Sequence, residues 1–154
     1  MEFSFNYAQF SHYNLLSKND QKLVDSAFEA MNKAYAPYSE FQVGASVLLG
    51  NGLVVLGNNQ ENLAYPSGLC AERVALFYAG ANYPNEVIDT ICIVAKGTLV
   101  SKELQLSPCG SCRQVMIESS MRQSTPIRII MVNQDNRTLV INKVEDLLPF
   151  AFSK

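Results

Sequence analysis

Three cysteines set the tightest limit on what this chain can fold around. Cys70 opens the stretch Cys70-Ala71-Glu72-Arg73, and Cys109 and Cys112 stand in Pro108-Cys109-Gly110-Ser111-Cys112-Arg113. Thiols at i and i+3 share one face of a helix. A helix opening at Pro108, a residue suited to a first turn, sets both sulfurs beside the amide N–H groups that an N-terminus leaves unpaired. Cys70 follows Ser67-Gly68, which reads as an N-cap, and precedes an apolar-periodic run, so it also falls in a first turn. The positive end of a helix lowers a thiol's pKa, and the thiolate is the form that binds metal. Three thiolates without an obvious fourth ligand describe an open zinc site, because structural zinc is normally closed by four protein ligands and catalytic zinc keeps a position for water. Glu72 supplies a carboxylate beside that position, where a general acid and base would act. Cys109-x-x-Cys112 alone also fits a redox motif; Cys70 and Glu72 together favour zinc.

The chain around these cysteines has 154 residues, of which 48% are apolar and 17% charged, with a formal net charge of −2. That length suits one domain, taken as residues 1–154 with an N-terminal arm over 1–17. The charge leaves no footprint for a polyanion, so nucleic acid is not expected as a partner. Apolar runs are too short to span a bilayer. The start, Met1-Glu2-Phe3-Ser4, lacks the basic and apolar regions of a secretory signal. A cytoplasmic location follows, and there four cysteines point to metal or catalysis rather than to disulfides.

Within the arm, Phe3, Phe5 and Tyr7 alternate; they suit either an edge strand or an extended segment over an apolar surface. The single histidine, His12, is not needed as a ligand. A helix is expected from Asn19-Asp20, with Leu23, Val24, Ala27, Phe28, Met31 and Tyr35 on one face and Ala36-Pro37 ending it. Val43 to Leu49 and Leu53 to Gly57 read as a hairpin around Gly50-Asn51-Gly52. A polar connection, Asn58 to Gly68, leads into the Cys70 helix, which runs to about Ala81. Val87 to Ala95 is a buried strand containing Cys92; as a fourth zinc ligand Cys92 is disfavoured, since a free cysteine in such an apolar run usually behaves as a small core hydrophobe and strand interiors seldom supply an exposed thiolate. An irregular link over 96–106 precedes the second cysteine helix, about Pro108 to Ser119. Strands follow at Ile127 to Val132 and Thr138 to Ile141, and Asn142 with Glu145 makes a cap-like pair for a last short helix stopped by Pro149. This order predicts a three-layer α/β/α fold with a sheet of about five strands.

Cys70-Ala71-Glu72 followed by Pro108-Cys109-x-x-Cys112 resembles the zinc nucleoside deaminases. Phe41-Gln42-Val43-Gly44-Ala45, Asn59-Gln60-Glu61-Asn62, Tyr65-Pro66, Pro108 to Gln114 and Leu147-Leu148-Pro149 are similar, in order, to blocks of the small homotetrameric cytidine deaminases. The resemblance spans roughly residues 20–152. It implies a mixed sheet, two cysteine helices side by side, and one zinc per chain held by Cys70, Cys109 and Cys112. The implied reaction is hydrolytic deamination of cytidine and 2′-deoxycytidine to uridine and 2′-deoxyuridine, with release of ammonia, in pyrimidine salvage. Glu72 would move the protons. Phe41 would lie beside the nucleoside, Asn59 and Glu61 on the ribose hydroxyls, and the Ala71 N–H and Ser107 carbonyl on the base. Tyr65 and Phe152 would line a neighbouring subunit's pocket in a homotetramer with composite sites. Arg73 would offset thiolate charge behind the ligands.

Leu63 departs from the pattern, which often has a small residue there, and bears on a subunit contact or the width of the pocket. The arm has no counterpart. Two other readings exist: a zinc deaminase for an aminopyrimidine antibiotic, against which Asn59 and Glu61 argue, and a non-catalytic zinc-stabilised module, which leaves Glu72 without a role.

Overall fold

In the computed structural model, which describes residues 2–153, six strands form one sheet. In chain order these are β1 (Tyr7–Phe10), β2 (Phe41–Leu49), β3 (Val54–Asn58), β4 (Ile88–Gly97), β5 (Arg128–Val132) and β6 (Thr138–Ile141), and across the sheet they run β1-β6-β5-β4-β2-β3. β4 and β5 pair in parallel and every other neighbour is antiparallel, so the sheet is mixed. Three α-helices cover it: α1 (Lys18–Met31), α2 (Ala71–Asn82) and α3 (Gly110–Ser120).

The strand alternation sorts the core into two layers. Along β4, Ile91 and Ile93 pack with Ala75, Leu76 and Met116 under α2 and α3, whereas Cys92 and Val94 pack with Val24, Ala27 and Met31 under α1. That is the period of two on which a sheet buried on both faces depends. It also disposes of Cys92 as a ligand: its thiol is fully buried on the α1 side, with the whole sheet between it and the other cysteines. Burial pushes this thiol's pKa up, the opposite of what a metal ligand needs.

The sixth strand corrects the expected count of about five. β1 comes from the arm and pairs with β6 from Tyr7 against Ile141 to Phe10 against Thr138. It is an edge strand, exposed over three of its four residues, so it carries little apolar signal.

Helix boundaries differ from expectation where capping decides them. α1 starts at Lys18 because Ser17 accepts from the Asp20 N–H at 3.2 Å and donates to the Asp20 carboxylate at 2.9 Å, a reciprocal cap. It ends at Met31, short of Tyr35, whose N–H and carbonyl bond instead to Asn59 and Glu61. The closing segment is a 3₁₀ turn, Val144–Leu147, with no side-chain cap. Asn142 and Glu145 do not pair there, since the Glu145 carboxylate takes the Ser120 hydroxyl of α3.

Two features aim the fold at one edge. β3, β4 and β5 run the same way, so α2 and α3 both begin beyond the carboxyl ends of strands, where open α/β sheets bind ligands. Phe41, at the start of antiparallel β2, sits at that same edge opposite Gly97. Gly57 then lets β3 touch α2: a Cβ there would lie 2.4 Å from the Ala71 carbonyl oxygen and 2.6 Å from the Ala75 nitrogen.

Candidate metal and catalytic site

Cys70 and Cys109 are themselves the N-cap residues of α2 and α3, one position earlier than the first-turn placement expected for them. Ser67-Gly68 is not the cap, since Tyr65–Ser67 forms a separate 3₁₀ turn, and Pro108 lies just outside α3. Cys112 is the third residue of α3, so the cap and third positions of α3 are both thiols. In α2 the third position is Arg73.

The Cys70 and Cys109 sulfurs are 3.9 Å apart and those of Cys109 and Cys112 3.4 Å, with all three within 4.8 Å of one another. Zn–S bonds of about 2.3 Å in a tetrahedron require sulfurs roughly 3.8 Å apart, so the thiols fit zinc with little movement. No other histidine, cysteine or carboxylate joins them in a metal-holding group among the described residues, which leaves a tetrahedral ion one open position. The Arg73 guanidinium donates from Nη2 to the Cys70 sulfur at 3.8 Å, and its Nε is buried without a partner. A hydrogen bond from Cys112, assisted by Arg73, lowers the Cys70 thiol to about 5. The Cys112 thiol is pushed up, because its proton is held by Cys70.

Glu72, in the first turn of α2, is only 4% exposed. Burial first, then the Cys70 charge, pushes its carboxyl up to about 7. A carboxyl in that range both takes and gives a proton near neutrality.

Around this centre, the loops expected to meet substrate are pinned. Asn59 is buried, and its amide bridges β2: Oδ1 accepts from the Val43 N–H at 2.8 Å and Nδ2 donates to the Phe41 carbonyl at 2.9 Å. Glu61 accepts from the Tyr38 N–H at 2.9 Å, the Ser39 N–H at 3.2 Å and the Ser39 hydroxyl. Burial raises its pKa, but these three bonds outweigh it and hold the carboxyl below the ordinary range. A carboxylate has about four lone-pair sites, so Glu61 keeps one acceptor free, and Asn59 keeps one N–H and one lone pair. Gln60 exchanges both backbone bonds with Leu69, which ties this segment to the residue before Cys70.

Ala71 is buried at the start of α2, and Ser107 lies next to Pro108 with its hydroxyl accepting from Arg113 at 2.8 Å. Arg113 also donates from Nε to the Pro108 carbonyl at 2.9 Å and from Nη1 to the Leu147 carbonyl at 3.0 Å. Tyr65 is 91% and Phe152 90% exposed. Leu63 is likewise exposed. The roles of Ser39, Arg113 and Gln114 are not legible in the sequence, because side-chain bonds to distant backbone carry no periodic signal, although an arginine directly after a metal cysteine is a usable hint.

Fold and site together define a class: a three-thiolate metal centre at two helix N-termini of an α/β/α sandwich, with a buried carboxylate beside it. Residues 17–126 match the family described as the cytidine and deoxycytidylate deaminase zinc-binding region. The cytidine deaminase of Halalkalibacterium halodurans is 38% identical over 133 residues, 86% of this chain and 93% of that protein, and that of Sporosarcina psychrophila 38% over 135 residues, 87% and 91%. The crystal structure of cytidine deaminase from Burkholderia pseudomallei superposes with a TM-score of 0.74 at 40% identity, covering 86% of this chain and 98% of that one. The Mycobacterium tuberculosis cytidine deaminase gives 0.67 at 30%, covering 90% and 100%. This chain belongs to the cytidine deaminases, a family of zinc-binding enzymes.

Proposed function

We propose that this enzyme, a single domain over residues 1–154, hydrolyses cytidine and 2′-deoxycytidine to uridine and 2′-deoxyuridine with release of ammonia, as a zinc-dependent step of pyrimidine salvage in the cytoplasm. The observation that carries the reading is the cluster itself: three sulfurs within 4.8 Å of one another at two helix starts, with Glu72 buried in the first turn beside them. Cys70, Cys109 and Cys112 would hold the zinc, which when bound would supply the Lewis acidity that makes water a nucleophile toward C4 of the cytosine ring. Glu72 would accept the first proton of the attacking water and pass it to ring N3, then take the second, from the hydroxyl now on C4, and hand it to the amine as the C–N bond breaks and ammonia leaves. Arg73 compensates thiolate charge from behind.

The sugar is held by Asn59 and Glu61. One hydroxyl satisfies both free valences, donating to Glu61 while accepting from Asn59, and an analogue lacking it leaves two polar groups unpaired. Phe41 flanks the nucleoside, while the Ala71 N–H and the Ser107 carbonyl read the base at O2 and the amino group. Tyr65 and Phe152, bare in the single chain, complete the pocket of a neighbouring subunit in a homotetramer. Nucleic acid and membrane are not partners in this reading; no helix among the described residues is long and apolar enough to cross a bilayer.

The test is release of ammonia from cytidine by protein carrying one zinc per chain, and its loss in Glu72→Gln. That variant should fold, keep its zinc and lose at least about a hundredfold in rate. A zinc-loaded wild type without activity on either nucleoside would refute the substrate; an active Glu72→Gln would refute the mechanism.

A further inference from the structure

Residues 149–153 have no helix or strand and carry two rings that solvent surrounds, Phe150 at 95% and Phe152 at 90% exposure. One side chain nonetheless fixes where residue 152 sits. Gln114 of α3 donates from Nε2 to the Phe152 carbonyl at 2.8 Å and accepts at Oε1 from the Phe152 N–H at 3.2 Å. This is the two-bond exchange by which strand residues pair, with a side-chain amide standing in for one strand. Among the described residues no other hydrogen bond reaches the chain beyond Leu148. Arg113, one position earlier, holds the Leu147 carbonyl. Both ends of the tail are therefore anchored to the turn of α3 that contains Cys112.

We propose that Gln114 is a positioning residue: its amide clamps the backbone of Phe152 so that the exposed ring is presented to the substrate pocket of a second copy of this chain. The presenting role rests on the composite-site reading above; the clamp itself rests on the two hydrogen bonds. Gln114 is half-buried, and among the described residues its side chain makes no hydrogen bond except this matched pair to one distant residue. With the clamp removed, Phe152 has a main chain free to rotate, and its presence at any pocket becomes a matter of chance encounter.

The chain contains no tryptophan, so Phe152→Trp provides a single fluorescent reporter. In that background Gln114→Leu should enlarge the fast nanosecond component of the anisotropy decay, and Gln114→Glu, which keeps only the acceptor, should fall between. An unchanged decay overturns the clamp. In the parent chain Gln114→Leu should raise KM for cytidine about 5- to 150-fold, as expected for two lost hydrogen bonds, with kcat within about twofold and zinc retained. Combined with Phe152→Ala it should add nothing further. Additive losses overturn the positioning role, because they would mean that Gln114 acts on α3 and not on the tail. If Phe152→Ala alone leaves KM unchanged, the composite site falls and the presenting role with it, while the clamp still stands or falls on the anisotropy.

Discussion

Gly57→Ala should damage the metal site from the other side of a helix. The added Cβ would sit 2.4 Å from the Ala71 carbonyl oxygen, 2.6 Å from the Ala75 nitrogen and 2.9 Å from the Ala75 Cβ. All three belong to the backbone or the shortest side chain, so nothing can swing aside. Ordinary contact begins near 3.4 Å, and the start of α2 must therefore retreat from β3 by about 1 Å. Overpacking of this kind costs about 1–3 kcal/mol, a fall in Tm of roughly 2–10 °C for a chain of this size. The larger effect is on chemistry, because Ala71 lies between Cys70 and Glu72. A shift of about 1 Å in a catalytic constellation costs on the order of a hundredfold, and the Cys70 sulfur leaves the spacing that zinc requires. Circular dichroism melts, zinc content after a timed chelator challenge, and kcat/KM for cytidine measure the three effects. Gly110→Ala is the control, since a Cβ at that position meets nothing within 4 Å, and its melting temperature and zinc retention should match wild type. A Gly57→Ala protein with wild-type zinc retention and kcat/KM would refute the argument that this contact sets the helix start.

The remaining predictions concern charge and ligation. Asp20 and Arg128 pair through two bonds of 2.7 and 2.9 Å, and the Arg128 hydrogen bonds hold the Asp20 carboxyl below its ordinary value of 3.8. Because the folded pKa is depressed, the pair's stabilisation is complete above the unfolded pKa and disappears as pH falls through the folded one. Asp20→Asn should lose about 1–3 kcal/mol at pH 7 in urea melts, and the gap to wild type should begin to narrow as pH falls below about 4; a gap at pH 2 as large as that at pH 7 would contradict this. Cys109→Ala should lose zinc and activity together, whereas Cys92→Ala should keep both, as metal analysis of the purified variants will reveal. Arg73→Gln should lower zinc affinity or rate by about 10–100-fold with little change in melting temperature; wild-type values would make Arg73 an ordinary helix residue.

Most of the scaffold was legible because both faces of its sheet are buried, which writes long apolar runs such as Ile127 to Val132 into the chain. β1 is harder to read, since an exposed edge strand needs no such pattern; the alternation at Phe3, Phe5 and Tyr7 overlaps the strand only at Tyr7 and does not indicate its partner, β6. The cysteines announced the metal centre, yet their placement came out one residue off. A thiol is not a customary N-cap, so the sequence pointed to Ser67-Gly68 and to Pro108 instead. The end of α1 was misjudged because Tyr35 continues the apolar period while its backbone is claimed by Asn59 and Glu61. Those two residues show the limit most clearly. The resemblance implied contact with substrate, and nothing local indicates that Asn59 also binds the backbone of Phe41 and Val43, and Glu61 that of Tyr38 and Ser39.

Neither cysteine helix has a side-chain hydrogen bond at its N-cap. The usual capping residues would contribute about 1 kcal/mol at each end, but here both cap positions are thiols reserved for an ion. Metal supply thereby becomes a variable of folding as well as of turnover: occupancy stabilises the native chain by mass action. Mild lesions in the distant core would stay silent in a metal-replete cell and surface as loss of protein when zinc is scarce. The range of sequences this enzyme tolerates is then set partly by the diet of the cell that makes it.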